Sequence, residues 1–348
     1  MKIALDAMGG DNAPEATVHG AVWAARDFGL TIQLVGKPDV IEAELAKHDV
    51  TNLDLPIIPA SEVIEMDDSP SKAVKSKKDS SMVVALRSVK AGDSDAFVSA
   101  GNSGGALAAA LFGLGRIKGI KRPALSTIFP TDSEHGCCLL LDIGANTDVR
   151  PEFLLQFGLM GHHYAKHVFN IPNPRVGLLS TGEEEYKGNA LTQEATPMFK
   201  QSRLNFVGNI EAKDIPMGLA DVVVTDGFTG NIYIKGVQGA ASVIQKVLAR
   251  EIKKRPLAIL GALLARGAIN ALRTRVDYRE FGGGPLLGVN GIVVVAHGRS
   301  DGYAVRNAIR VARKAAENKI VQAIENGLNE WEQNEPVITA TFVDQAAD

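Results

Sequence analysis

Cysteine is almost absent from this sequence: only Cys137 and Cys138 occur, and they are neighbours. A bridge between adjacent residues would be strained, which excludes a disulfide framework. The pair reads as small apolar residues of a buried strand in a reducing cytosol. A strong charge of either sign is missing too, and the net charge of −3 argues against a nucleic-acid partner. No long hydrophobic run occurs. The longest uncharged stretch, 96–115, is interrupted by Ser99, Asn102, Ser103 and several glycines, so nothing reads as a membrane span. The chain opens on the strand-like Lys2-Ile-Ala-Leu-Asp6, which leaves no room for a signal peptide. His162, His163 and His167 share one helical segment without a carboxylate motif to complete a site. No Walker loop or dinucleotide fingerprint is present either, so no metal and no cofactor are expected.

Glycine is abundant, and it gathers at the ends of apolar runs. Ser99-Ala-Gly-Asn-Ser-Gly-Gly105 stands between a short buried strand, 96–99, and an alanine-rich helical segment, 106–112. Such a loop lets backbone N–H groups approach a ligand and brings the positive end of a helix to the same point, as a phosphate site requires. A plain strand-to-helix turn is the alternative.

Taken in order, a strand over 2–7 is followed by a helix from Pro14 to Phe28 that Gly29 stops. A strand over 31–35, a helix over 38–47 and a strand over 53–59 come next. This alternation predicts a parallel sheet covered by helices. Residues 60–81 interrupt it, with Glu62, Glu65, Asp67 and Asp68 preceding Lys72, Lys75, Lys77 and Lys78. They form either a solvated surface segment or a mobile flap whose lysines attract an anionic substrate or partner. Further strands fall over 137–143, 176–179, 221–225 and 292–296, and a helix over 302–326 ends at Gly327. Asp6, Ser99, Asp142, Ser180, Asp226 and His297 each stand where a strand ends, beside glycine and small polar residues. Ligands of open parallel sheets bind outside the carboxyl ends of the strands, so the six predict one composite pocket at one edge. No linker divides the chain. One α/β domain is expected over 1–330, with a protruding basic amphipathic segment at about 237–280 and a tail at 331–348.

Two features leave alternatives open. Gly101-Asn-Ser-Gly-Gly105 matches Gly-x-Ser-x-Gly, with Asp226 and His297 following in hydrolase order, so a Ser103 nucleophile competes with direct attack by a bound anion. Residues 250–279 carry eight basic side chains, Arg266 among them, against Glu251 and Asp277. Leu257, Leu260, Leu264, Ala268 and Leu272 fall on one helical face of that stretch. It packs on a core or a dimer partner, or it lies on an anionic membrane surface or an acidic protein.

Asp6-Ala-Met-Gly-Gly-Asp11, Ser99-Ala-Gly-Asn-Ser103, Asp142-Ile-Gly-Ala-Asn146, Gly182-Glu-Glu-Glu-Tyr-Lys-Gly188, Asp226-Gly-Phe-Thr-Gly-Asn231, Glu280-Phe-Gly-Gly-Gly-Pro-Leu-Leu-Gly288 and His297-Gly-Arg-Ser300 occur in this order. As a set they resemble the motifs of the bacterial phosphate acyltransferases of phospholipid synthesis, the PlsX family. Ser103 and Gly105 stand where that family is expected to have threonine and alanine, changes that keep the hydroxyl and the small size. The resemblance implies a three-layer α/β/α sandwich related to phosphotransacetylases and to isocitrate/isopropylmalate dehydrogenases. It implies transfer of a fatty acyl group from acyl carrier protein to inorganic phosphate. The acyl phosphate formed would supply a membrane glycerol-3-phosphate acyltransferase. A cytoplasmic homodimer peripherally attached to the membrane is implied too. On this basis Lys187 binds phosphate and stabilises charge, Asn231 polarises the thioester carbonyl or orients phosphate, and Asp226 and His297 complete the catalytic set without assigned roles. Asp6, Gly9, Gly10, Ser99, Gly101, Asn102, Ser103, Gly104, Asn146, Gly182 and Gly230 are expected around the substrate, and Leu257, Leu260, Leu264 and Arg266 at the membrane. The alternatives are a phosphotransacetylase acting on short acyl-CoA and a non-catalytic membrane scaffold for lipid-synthesis enzymes. A dehydrogenase of related fold is disfavoured, for want of the dinucleotide fingerprint.

Overall fold

The computed structural model describes residues 1–334. The first half alternates as expected: β1 (Lys2–Asp6), α1 (Glu15–Phe28), β2 (Thr31–Gly36), α2 (Pro38–Leu45) and β3 (Ile57–Pro59). After α3 (Pro70–Ser76) and α4 (Ser81–Ala91) come β4 (Ala96–Ser99) and α5 (Ser103–Gly113). The middle contains β5 (Ala124–Pro130), β6 (Cys137–Leu141), α6 (Pro151–Val168), β7 (Arg175–Leu179), α7 (Ala190–Gln201), β8 (Asn205–Ile210) and β9 (Val222–Val224). A helical stretch follows: α8 (Gly227–Lys253), α9 (Pro256–Leu264), α10 (Arg266–Val276) and α11 (Tyr278–Phe281). The antiparallel pair β10 (Gly283–Leu287) and β11 (Ile292–Ala296) then precedes α12 (Gly302–Glu317) and α13 (Ile320–Asn334). Local chemistry sets several boundaries. Gly29 and Gly92 close α1 and α4 in the left-handed conformation, and prolines occupy the first positions of α2, α3, α6 and α9.

All strands join one sheet in the order β3-β2-β1-β4-β11-β10-β5-β6-β9-β7-β8. Strands β3, β2, β1, β4 and β11 run parallel to one another, as do β6, β9, β7 and β8. Between the two groups, β11–β10, β10–β5 and β5–β6 are all antiparallel. Three reversals leave the second group running opposite to the first. This corrects the expectation of one shared carboxyl edge: Asp6, Ser99 and His297 leave one end of the sheet, whereas Asp142, Ser180 and Asp226 leave the other. The pattern of each strand and loop is local, and it says nothing of the sense in which the two halves join.

Helices cover both faces, giving three layers. On the first half, α1 and α12 bury Val18, Val22, Val305 and Ile309 on one face, and α4 and α5 bury Met82, Leu86 and Ala106 on the other. On the second half, α6 and α13 cover one face with Phe157, Tyr164, Ile324 and Leu328. The opposite face has the smallest cluster, around Leu140, Val223 and Ile234, and α8 lies there. The expected helix over 302–326 is two helices, because Lys319 turns to φ 47° between them. Gly327 lies inside α13, where a side chain would strike the His163 ring. Trp331, expected to begin a tail, is buried in the core, while residues 335–348 lie outside the described ones. Among the described residues no helix is long and apolar enough to cross a membrane.

The α6 histidines generate a stability prediction. Desolvation, followed by nearby Lys166 and His167, holds His162 down at about 4, and desolvation with His162 alongside holds His163 at about 3. Their unfolded pKa is about 6.5, so below that pH the unfolded chain takes up protons that the folded chain refuses. Stability contributed by the neutral rings is therefore full above pH ~6.5 and declines as pH falls toward ~4, by at most about 1.4 kcal/mol per pH unit for each ring. Solvent at the half-buried rings makes that slope an upper bound. The urea midpoint should drop between pH 7.5 and 5, and less steeply in a His162→Gln/His163→Gln variant. Parallel pH profiles of wild type and variant would remove the histidines from the account.

Candidate active site

The first cluster forms around a buried carboxylate. Asp6, at the end of β1, accepts hydrogen bonds from Ser81 Oγ (2.6 Å), Ser99 Oγ (2.7 Å) and Met8 N (3.2 Å). A side chain on Gly9 would run into this carboxylate, and Gly10 takes φ 111° as the loop turns. The loop then docks on the exit of β11, where Asp11 N donates to Gly298 O (2.7 Å) and Asn12 Nδ2 to Ser300 O (3.2 Å). Desolvation raises the Asp6 pKa against the lowering effect of these hydrogen bonds. Asp6 and Ser99 are fully committed to one another and to the loops, so they hold the site in place and do not face a ligand. Asn102 caps α5, its Oδ1 accepting from Gly105 N (2.9 Å), while its Nδ2 reaches the carbonyls of Glu65, Met66 and Asp68. The 60–81 segment is thereby tied to the loop, and Lys77 adds an ion pair to Asp68 at 2.5 Å. Gly101 N–H is taken by Ser99 Oγ (3.0 Å). The N–H groups of Ser103 and Gly104, the first two of the helix, have no intrahelical acceptor by position.

A second carboxylate organises the other half. Asp142 is fully buried and accepts from the backbone N–H of Leu125, Gly144, Ala145 and Asn146 and from Asn146 Nδ2, all within 2.7–3.2 Å. Burial raises its pKa, opposed by these bonds. The first turn of α8 is seated on this loop: Gly227 N donates to Asn146 O (2.8 Å), and a side chain on Gly230 would collide with the Asp142 carbonyl. Asn231 Nδ2 donates to Ile143 O (2.9 Å). Asp226 is the N-cap, accepting from Thr229 N (2.8 Å) and Thr229 Oγ1 (2.7 Å). This corrects the hydrolase order drawn from the sequence, because the Asp226 carboxylate is committed to the helix cap and not to His297.

Between the clusters lies a cavity of about 700 Å³ running over β5 and β10 beneath α8. Ser103 and His297 line it from one half of the sheet, and Gly144 and Asn231 from the other. Its floor is apolar, with Leu125, Ile128, Phe129, Ile143, Ile234 and Val295. Lys235 and Gln238, which sequence reasoning passed over, follow Asn231 by one and two helical turns and line the cavity as well. That spacing was the signal available. Gln238 Nε2 lies 3.1 Å from His297 Nε2, and its Oε1 accepts from Arg299 (3.5 Å), so the amide donates to the imidazole. Desolvation, then Arg299 and Lys235, lowers the His297 pKa, which favours the neutral ring this bond requires. Arg275 is paired with Asp132 at 3.0 Å at the far end. Lys187 and Gly182 are on the loop after β7 and do not line this cavity; Lys187 is exposed, its Nζ 5.6 Å from the Tyr186 ring.

The expected amphipathic face of 250–279 is broken into separate helices, since Arg255 and Ala265 interrupt it. Leu257, Leu260 and Leu264 stay together on α9, which buries none of its residues; Ala268 belongs to α10, and the Leu272 side chain lies outside the described ones. Arg266 is exposed at the start of α10.

Removing the second carboxylate should expose its structural weight. Asp142→Ala strands four backbone N–H groups and should destabilise the fold by about 2–5 kcal/mol, read as a lower urea midpoint. A midpoint within ~0.5 kcal/mol of wild type would mean that the loop holds itself.

Comparison with known proteins places this architecture. Residues 1–323 match the family model described as fatty acid synthesis protein. The phosphate acyltransferase of Pelotomaculum thermopropionicum is 50% identical over 332 residues, covering 95% of this chain and 96% of that protein. Two solved structures share the fold. A phosphotransacetylase from Streptococcus pyogenes has a TM-score of 0.56 at 18% identity, with 94% of each chain covered. A branched-chain phosphotransacylase from Enterococcus faecalis has a TM-score of 0.57 at 15% identity, with 91% of this chain and 99% of that one covered. With half its residues shared along nearly its whole length, the chain belongs to the fatty acid synthesis protein (PlsX) family of phosphate acyltransferases.

Proposed function

We propose that the protein transfers a fatty acyl group from the thioester of acyl carrier protein to inorganic phosphate. The acyl phosphate released then serves a membrane glycerol-3-phosphate acyltransferase in phosphatidic acid synthesis. The observation that carries this reading is the cavity of mixed chemistry: an apolar floor along β5 that suits an acyl chain, and Ser103, Asn231, Lys235 and His297 that suit an anion. A phosphate oxygen attacks the thioester carbonyl carbon; the C–O bond forms, the C–S bond breaks through a tetrahedral oxyanion, and the carrier leaves as a thiol that has gained one proton. Asn231 has a second amide hydrogen beyond the one given to Ile143, and it is our donor to the carbonyl or the phosphate. Neutral His297 can take the phosphate proton at Nε2 when the entering phosphate displaces the Gln238 amide from it, and return that proton to sulfur. Lys187, exposed on the glycine-flanked loop after β7 and outside the cavity lining, is our further phosphate ligand once that loop turns toward the cavity, and Gly9, Gly10, Gly101, Gly104, Gly182 and Gly230 let the surrounding loops pack closely.

We further propose a cytoplasmic homodimer held peripherally at the membrane. Support comes from α9, where Leu257 is 85% exposed and Leu264 83%, beside Lys253, Lys254, Arg255 and Arg266. Burying each leucine contributes about 1.5–3 kcal/mol at full depth and less among headgroups, and each basic residue adds on the order of 1 kcal/mol at an anionic leaflet.

Palmitoyl carrier protein and phosphate should yield a hydroxylamine-trappable acyl phosphate. Preference for acetyl-CoA would favour a short-chain phosphotransacetylase, and no product from either would leave the scaffold reading. Lys187→Ala should lower kcat/KM by about tenfold to a hundredfold, the loss of a charged hydrogen bond worth roughly 1.5–3 kcal/mol. Unaltered turnover and phosphate KM would take Lys187 out of the site. Replacing Leu257, Leu260 and Leu264 by glutamate should abolish binding to anionic vesicles while activity on palmitoyl carrier protein in solution persists. Retained vesicle binding would move the anchor elsewhere.

A further inference from the structure

The charge switch at 60–81 resolves into two populations. Three of its acids are tied within the segment: Asp68 pairs with Lys77 (2.5 Å), Asp79 accepts from Ser61, and Glu62 accepts from Asp79 N, while Glu65 and Asp67 are exposed and do not line the groove described next. Lys72, Lys75 and Lys78 point to solvent instead. Lys75 stands at the rim of a groove of about 320 Å³ between α3, α4 and α5, together with Arg87 and Lys90. Val83, Leu86 and Phe112 contribute to an apolar floor, and no acidic side chain lines the groove. Phe112 is 55% exposed, with Lys75 Nζ 5.2 Å from its ring centroid. Among the described residues none of the three rim cations makes an ion pair. On a chain of net charge −3, this is a local excess of positive charge around an uncovered apolar slot.

We infer that this groove docks an acidic, amphipathic helix of the carrier protein that delivers the acyl group. The inference rests on the acyl-carrier reading above. Charge complementarity selects the partner: carboxylates meet Lys75, Arg87 and Lys90, while a short apolar face covers Phe112. The place also fits. Helix α5 has Phe112 in the groove and Ser103 in the catalytic cavity, nine residues or roughly 14 Å apart. A flexible thioester arm can span such a distance while its carrier stays on the surface. The groove is concave, which suits an inserted helix; a lipid surface is met better by the exposed face of α9.

The test uses the full-length protein and a Lys75→Glu/Arg87→Glu variant. Carrier binding is followed by fluorescence anisotropy, and initial rates are measured with palmitoyl carrier protein at saturating phosphate. The variant should show KM for palmitoyl carrier protein raised at least about tenfold, with matching loss of carrier binding and a weaker salt dependence. Its kcat and phosphate KM should stay within about twofold. The Lys75→Arg/Arg87→Lys exchange should restore the wild-type KM. If the charge reversals unfold the protein, Lys90→Glu with Phe112→Ser asks the same question from the other side of the groove. Unchanged carrier KM and binding in folded variants overturn the docking site while leaving the transferase reading intact. A wild-type enzyme that forms acyl phosphate from palmitoyl-CoA but neither binds nor uses the carrier overturns the acyl-carrier reading and this inference with it. A variant that loses only binding to phosphatidylglycerol vesicles assigns the groove to lipid and overturns it as well.

Discussion

Three antiparallel ladders in succession, β11–β10, β10–β5 and β5–β6, turn the second half of the sheet over, and the position of the site follows from that reversal. Were the halves joined in parallel, all the strand exits would meet at one edge. Reversed, they stand at opposite ends, and β5, β10 and the helix laid across them lie between the two sets. The junction is made by close backbone approach. A side chain on Gly284 would strike the Ser126 carbonyl, and Ser126 Oγ donates to Pro285 O at 2.7 Å. Helix α8 then spans the gap, from its seat on the Asp142 loop to Gln238 beside His297. The cavity is the space that this arrangement leaves over the apolar middle strands.

Each end of the cavity is fixed by a buried carboxylate whose role is to hold loops. Asp6 and Asp142 stand at equivalent strand ends and gather N–H and hydroxyl donors that would otherwise be free to reorganise. In both, desolvation outweighs the hydrogen bonds in setting the direction of the pKa shift. Such groups lower net stability relative to an apolar core, and they do so where loop geometry has to be fixed before a ligand arrives. The residues left to face the cavity, Ser103, Asn231, Lys235 and His297, are each held by a helix or strand end that one of these two loops supports.

Much of this was legible in the residues. The alternation through β4, the left-handed cap at Gly29 and the polar strand exits all follow from local chemistry, and Ser103, Asn231 and His297 do line one cavity. What local chemistry could not convey is direction and commitment. Strand β10 opens with Gly283-Gly-Pro285 and reads as a turn, so the reversal built on it went unseen. Asp226 and Asp6 have the residue type of catalytic groups, yet their oxygens are occupied by their own loops. Lys235 and Gln238 are hidden in the sequence because Asp226–Asn231 has the glycine and polar composition of a strand exit, whereas it is the start of a helix with a continuing face.

That helix has two physical regimes. Its first turns bury Gly227, Gly230 and Ile234, and no residue beyond Ile234 is buried, although it runs on to Lys253. Most helices in proteins owe their stability to a packed apolar face, and the far half of α8 buries no such face although it touches α9. The contact does not consume its apolar surface: Val243, Ile244 and Leu248 on α8 and Leu257, Leu263 and Leu264 on α9 are all more than half exposed. Scattered apolar residues need no explanation, but a large exposed apolar set on two touching helices is the kind of patch that marks an interaction surface. Basic residues flank it and acids are few, and these are the two chemistries on which the membrane proposal rests.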